Sequence, residues 1–157
     1  MDDLKIEGAT LLSVHEAETL LPKEGRVYSA WWWLRSPGTS QNLAADVIDG
    51  TGGVYGDGSN VIISDNCVRP ALKISSGSSG FKIGDTFSFG GKTFKIISDD
   101  LAFCLEDIGI CCFRKDYKAF DANIYGASDV KIFIDAWFDK ALREYKYGRL
   151  PLASGTD

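Results

Sequence analysis

The sequence predicts an α+β domain: a twisted, mostly antiparallel sheet with two helices. Three observations carry this. Between Asn42 and Cys67 isolated valines alternate with glycine-rich turns, a pattern of short β-segments. Phe81–Phe89 and Lys92–Ser98 flank Gly90-Gly91, the signal of a tight hairpin. Val130, Phe133, Ile134, Trp137, Phe138 and Ala141 recur at the spacing of one helix face.

In chain order, Leu4 to Ser13 is expected to be a strand. Ser13 then has the character of an N-cap, with Glu16 three residues on as its capping-box partner. The helix it starts, Val14–Leu21, should stop at Pro22. Trp31 to Arg35 reads as a buried strand closed by Pro37-Gly38. Trp31 and Trp33 would share one face and Trp32 the other, with at least one face in the core. Val47, Val54, Val61 and Val68 recur every seven residues, but five glycines between Val47 and Val61 exclude a heptad helix. Each valine should instead pin a β-segment to the core, with Asp49-Gly50 and Asp57-Gly58 as turns. Ser75 to Gly80 is a linker by composition. Beyond it, Thr93-Phe94-Lys95-Ile96 alternates as a half-exposed strand, and Leu101–Leu105 and Ile110–Phe113 are two further strand candidates. Ser128 caps the last helix, which runs through Tyr145 and ends at Gly148. The organisation is one domain over 1–150, in halves 4–74 and 81–150 joined by linker 75–80, with a tail at 151–157.

At 157 residues the chain can bury a core without metals or disulfides. A net charge of −5 weighs against nucleic acid or an anionic membrane as partner. Met1-Asp2-Asp3-Leu4-Lys5 lacks an apolar signal region and no run approaches membrane-spanning length, so synthesis into the cytoplasm and no membrane insertion are expected. The four cysteines, Cys67, Cys104, Cys111 and Cys112, follow neither a CxxC nor a zinc spacing. Buried free thiols are the favoured reading; a bridge from Cys104 to Cys111 or Cys112 is the alternative.

Candidate chemistry is sparse. His15-Glu16 opens like a zinc-protease helix, but Thr19 stands where the second histidine is required, and His15 is the sole histidine. Nucleophilic catalysis could use only His15 as its base, and nothing in the sequence places it near a cysteine, so none is expected. Asp46, Asp49, Asp57 and Asp65 could supply oxygen ligands to calcium, yet their spacing departs from the EF-hand loop, and turn and surface roles are favoured. Gly50 to Gly58 lacks the phosphate-loop lysine and leads into no helix. Arg35 and Arg69 bracket the variable-looking interior and should anchor its two ends. No cofactor, no metal and no catalytic residue are assigned.

Leu11-Leu12-Ser13-Val14-His15-Glu16-Ala17-Glu18, Trp31-Trp32-Trp33-Leu34-Arg35-Ser36-Pro37-Gly38, Ala44-Ala45-Asp46-Val47 and Val68-Arg69-Pro70-Ala71-Leu72 together resemble bacterial and phage domains with a WWLRSPG…VRPAL signature. These are similar to the C-type-lectin-like variable proteins diversified by retroelements. The second half, with Ile83-Gly84-Asp85-Thr86-Phe87-Ser88-Phe89-Gly90-Gly91-Lys92 and Cys112-Phe113-Arg114-Lys115-Asp116, also looks like family sequence. In many relatives that half comes first, so the order here is that of a circular permutation.

The resemblance implies a C-type-lectin-like fold, akin to formylglycine-generating enzymes, that displays a variable ligand-binding face. In such families diversity arises at AAY codons, which cannot mutate to Lys, Glu, Gln, Met or Trp. None of these five occurs from Asn42 to Cys67; a turn-rich stretch that avoids bulky charge is the plainer explanation. The face would comprise Ser40, Asn42, Leu43, Asp46, Ile48, Thr51, Tyr55, Asp57, Ser59, Asn60, Ile62, Ser64 and Asp65, with Tyr55 as the main anchor. The expected partner is a protein or glycan on a host or target surface, and the setting virion-associated. The alternatives are an oxidase of the formylglycine-generating type, for which Cys104, Cys111 and Cys112 are the only candidates, or a structural phage or cell-surface part.

Overall fold

The computed structural model describes residues 4–75 and 81–151, with side chains to residue 145. Two antiparallel sheets carry the fold. β1 (Lys5–Thr10), β5 (Ala71–Ser75), β8 (Leu101–Cys104), β7 (Lys92–Ile96) and β6 (Thr86–Phe89) form a five-stranded sheet in that order. β2 (Trp32–Pro37), β3 (Leu43–Val47) and β4 (Val54–Asn60) form a three-stranded one. Among the described residues three helices accompany them: α1 (Val14–Leu20), α2 (Lys23–Arg26) and α3 (Asp129–Pro151), with a 3₁₀ turn at Tyr125–Ala127. The α+β class and the antiparallel pairing agree with the sequence reading; the helix count exceeds it by α2.

Local chemistry explains the boundaries. The Glu16 backbone N–H donates to Ser13 Oγ at 3.0 Å, and the Glu16 carboxylate accepts from the Ser13 N–H at 2.9 Å, a complete capping box. Pro22 then breaks the helix as expected, but four residues after it re-enter helical geometry as α2. Phe89 pairs with Lys92 across Gly90-Gly91, both at positive φ (62° and 76°), the geometry of a tight hairpin that favours glycine. A side chain at Gly90 would also strike Trp137, 2.8 Å away, so α3 sits directly on this turn. In β7 Phe94 and Ile96 are buried while Thr93 and Lys95 are exposed, the alternation predicted for it. The Lys131 N–H donates to Ser128 Oγ at 3.0 Å, which caps α3.

Three sequence expectations are corrected. Ile110–Phe113 is not a strand: Ile110 makes a single bridge to Cys67, and the segment follows residues 66–68 as an irregular strap. Gly148 does not end α3, which continues to Pro151. Asp57-Gly58 is not a hairpin turn. The register jumps from Ala44↔Ser59 to Asp46↔Tyr55, so β4 bulges there by two residues. Gly58 takes φ +92° and lies so close to Ala44 that a Cβ would meet its backbone at 2.7 Å. The linker beyond Ser75 and the tail beyond Pro151 lie outside the described residues.

Three apolar clusters make the core. One joins Trp32, Leu34, Ala45 and Val47 to Leu101 and Phe103. A second places Leu4, Leu72 and Ile74 with Phe89, Phe94 and Ala141. The third gathers Leu11, Trp33, Ala44, Val61 and Val68 with Phe113, Val130 and Ile134. Each draws on both halves of the chain. Among the described residues, no helix is long and apolar enough to cross a membrane.

Candidate functional site

Both faces of the three-stranded sheet carry buried residues. Trp32 pairs with Val47, and both enter the first cluster. Trp33 pairs with Asp46 on the opposite face, where Trp33 joins the third cluster. The Trp33 indole N–H donates to the Cys111 carbonyl at 2.8 Å, so the 110–113 strap closes over this side. Trp32 and Trp33 are fully buried, one on each face, as strand alternation requires. What the sheet leaves open is its β4 edge and the loops at its two ends, with Trp31 half-buried beside them.

The two arginines fix the ends of this stretch. Arg35 reaches Glu16 at 2.6 Å and donates to the Leu11 carbonyl, tying β2 to the start of α1. Arg69 is buried, with its guanidinium 4.4 Å from the Tyr28 ring centre, 4.8 Å from Trp32 and 4.5 Å from Phe103. It donates to the carbonyls of Cys104 and Glu106. The chain closes on itself here: the Cys67 N–H donates to the Trp31 carbonyl at 2.8 Å and the Trp33 N–H to the Cys67 carbonyl at 3.2 Å.

Of the thirteen predicted face positions, Ser40, Thr51, Tyr55, Asp57, Ile62, Ser64 and Asp65 are exposed. Asn42, Leu43, Ile48, Ser59 and Asn60 are half-buried. Leu43 and Asn60 pair across the sheet, bringing one group together at the end that holds Ser40 and Ile62. Tyr55 and Ile48 sit towards the other end, beside Trp31. Asp46 is corrected: it is fully buried. It stands on the central strand, flanked by Trp33 on one side and Tyr55 on the other. Its Oδ2 accepts from Asn66 Nδ2 at 3.0 Å, while Oδ1 has no hydrogen-bond partner. Burial pushes this carboxyl up to about 6, against the pull of Ser59 and Asn66 towards the charged form.

The valine rhythm also needs revision. Val47, Val61 and Val68 are fully buried, but Val54 is only partly so. The four divide between two clusters on opposite sides of the sheet, so their spacing does not mark a single face.

The sequence reading missed the neighbouring wall. Gln41 donates to the Ala119 carbonyl at 2.6 Å, Asn123 to the Ser40 carbonyl at 3.0 Å, and the Arg114 N–H to the Val61 carbonyl at 3.0 Å. These bonds hold 114–124 against the face and carry Phe120 with it, 87% exposed. A lone aromatic in a turn-rich segment gives no signal of such placement.

All four cysteines are free. Burial, the main cause in each case, pushes Cys67, Cys104 and Cys111 up to about 11, so these thiols are protonated at neutral pH. His15 is exposed on α1. Among the described residues, no three His, Cys, Asp or Glu side chains converge as a metal site. Two clefts lie elsewhere. One, of about 370 Å³, is lined by Glu7, Glu16, Arg35, Lys73 and Asp100; another, of about 290 Å³, runs between Leu21 and Leu105.

No curated protein and no solved structure matches the chain. Residues 7–76, from β1 to the end of β5 and including the whole three-stranded sheet, are similar to a family described as a domain of unknown function (DUF6273).

Proposed function

We propose that this domain is a recognition module with a C-type-lectin-like scaffold, a variable protein of the retroelement-diversified kind, and that it acts by binding rather than catalysis. The observation that carries the reading is the separation of frame from face within one stretch. Trp32, Trp33, Val47, Val61 and Arg69 are buried, while Tyr55, Asp57, Ile62, Ser64 and Asp65 project between them. Tyr, Ser, Asn and Gly at the open positions suit an adaptable binding surface. The pairing of Lys5 with Ser75 sets the start of the first half beside its end, which accommodates a permuted order. The ligand is a protein or glycan on a host or target surface.

The test changes four face residues at once: Tyr55→Asn, Asp57→Ser, Asn60→Asp and Ile62→Thr. Surface changes of this kind move stability little, so the melting temperature should stay within about 3 °C. Retention of host-surface components on the immobilised domain should be lost. Unfolding of the variant would make these residues frame, and unchanged retention would place the face elsewhere.

A further inference from the structure

Trp31 and Tyr55 come from opposite sides of the three-stranded sheet, yet their rings meet edge to face, with centroids 5.9 Å apart. Tyr55 pairs directly with Asp46, and Asp46 with Trp33. Paired residues share a face, as do residues two apart on a strand. Trp31, Trp33, Asp46 and Tyr55 therefore stand on one side of the sheet. The register sets Trp31 opposite Ile48 and Tyr55 opposite Asp46, so their rings meet over β3 at its Asp46–Ile48 end. Asp46, on the same side beside the pair, is fully buried and its Oδ1 has no hydrogen-bond partner.

The ring pair is lightly held. Neither the Tyr55 hydroxyl nor the Trp31 indole N–H has a hydrogen-bond partner among the described residues. Tyr55 is 39% exposed on an edge strand, next to a glycine whose Cβ position is open space. The electrostatics point the same way. From Ser36 to Val68 there is no Lys, Arg or His, while Asp49, Asp57 and Asp65 are exposed. The bracketing cations are turned away: Arg35 is held by Glu16, and Arg69 is enclosed by three rings. Arg114, on the neighbouring wall, is held by Asp121 and the Ala127 carbonyl. An aromatic pair beside a carboxylate with one unpartnered oxygen, and with no ion pair of its own, is complementary to a guanidinium or ammonium group.

We infer that Trp31, Tyr55 and Asp46 form a receptor for a cationic side chain, an Arg or Lys of a partner protein, which packs against the aromatic pair and reaches the Asp46 carboxylate beside it. This rests on the recognition reading above and names the chemistry of its ligand. Trp31 is then a binding residue contributed by the frame, and Asp46 one that contacts the ligand from beneath the face.

The probe is Nα-acetyl-arginine amide, with the glutamine and glutamate amides as controls, titrated into the full chain. The readout is the Trp31 indole N–H resonance, assigned by its loss in Trp31→Phe. The arginine amide should shift it saturably, with a dissociation constant on the order of millimolar for so small a ligand. Asp46→Asn and Tyr55→Leu should each weaken this about tenfold, the effect of losing one charged or aromatic contact. A thermal melt of each variant confirms that it is folded. No shift with the arginine amide, an equal shift with the glutamine amide, or full affinity in a folded Asp46→Asn variant would each overturn the inference. If that happens while the four-residue face variant still loses its surface ligand, the recognition reading stands and only the cation receptor falls.

Discussion

Glu16 and Arg35 meet at 2.6 Å, which makes the helix cap of α1 also the anchor of β2. One carboxylate oxygen serves the Ser13 N–H and the Arg35 guanidinium together. Burial pushes the Glu16 carboxyl up, but Arg35 and Ser13 outweigh it and hold it below its usual value of 4.5. A lowered carboxyl stabilises the fold above its unfolded pKa, and that contribution fades as pH falls through the folded value. Glu16→Gln should therefore be less stable than wild type at neutral pH, by about 1 kcal/mol from the lost cap and ion pair, with the gap narrowing below about pH 4. Urea unfolding at the two pH values measures it.

Asp46 has the opposite sign. Its carboxyl sits at about 6 in the fold against an ordinary value of 3.8, so the folded state holds the proton more tightly. The charged form costs stability in full above the folded pKa, and the cost is relieved as pH falls from about 6 to about 4. Asp46→Asn keeps the shape and an acceptor for Asn66. It should gain on the order of 2 kcal/mol over wild type at neutral pH, and the difference should close near pH 4. Denaturation curves that stay parallel across this range would contradict the assignment.

Two glycines of β4 should respond in opposite ways. Gly58 combines positive φ with a backbone approach of 2.7 Å, so Gly58→Ala should lower stability by about 2 kcal/mol or more. Gly56, two residues earlier, has open space at its Cβ position, so Gly56→Ala should be close to neutral. Thermal melts of the pair separate a conformational need from mere composition.

Cleavage within residues 76–80 should not separate the halves. β1 and β5 belong to the first half and β8, β7 and β6 to the second, yet β5 pairs with β8 in one sheet. Val130 and Ile134 of α3 are buried with Trp33 and Val61. The nicked protein should elute as one species and melt in one transition; an independently folding C-terminal fragment would refute this.

Features set by local chemistry were legible in the sequence. The Ser13 cap, the Gly90-Gly91 hairpin, the β7 alternation and the stripe of α3 each depend on a few adjacent residues with one preferred geometry. Features set by distant contacts were not. Asp57-Gly58 has the composition of a turn, and only the approach of Ala44 makes it a bulge. Asp46 has the polarity of a surface residue, and its burial follows from lying on the central strand between Trp33 and Tyr55. Nothing near Phe120 in the chain announces that Gln41 and Asn123 hold its segment beside the face.

The bonds of Cys67 to Trp31 and Trp33 tie the end of the 31–68 stretch to its beginning. The excursion is a loop already closed at its base, with Arg35 and Arg69 rooted in the body on either side. Lengthening such a loop adds only a slowly growing entropic cost, since the positions of its ends do not change. Insertions at the exposed turns around Thr51 and Ser64 should therefore be tolerated, because they leave the closed base and the buried Trp32, Trp33, Val47 and Val61 where they are.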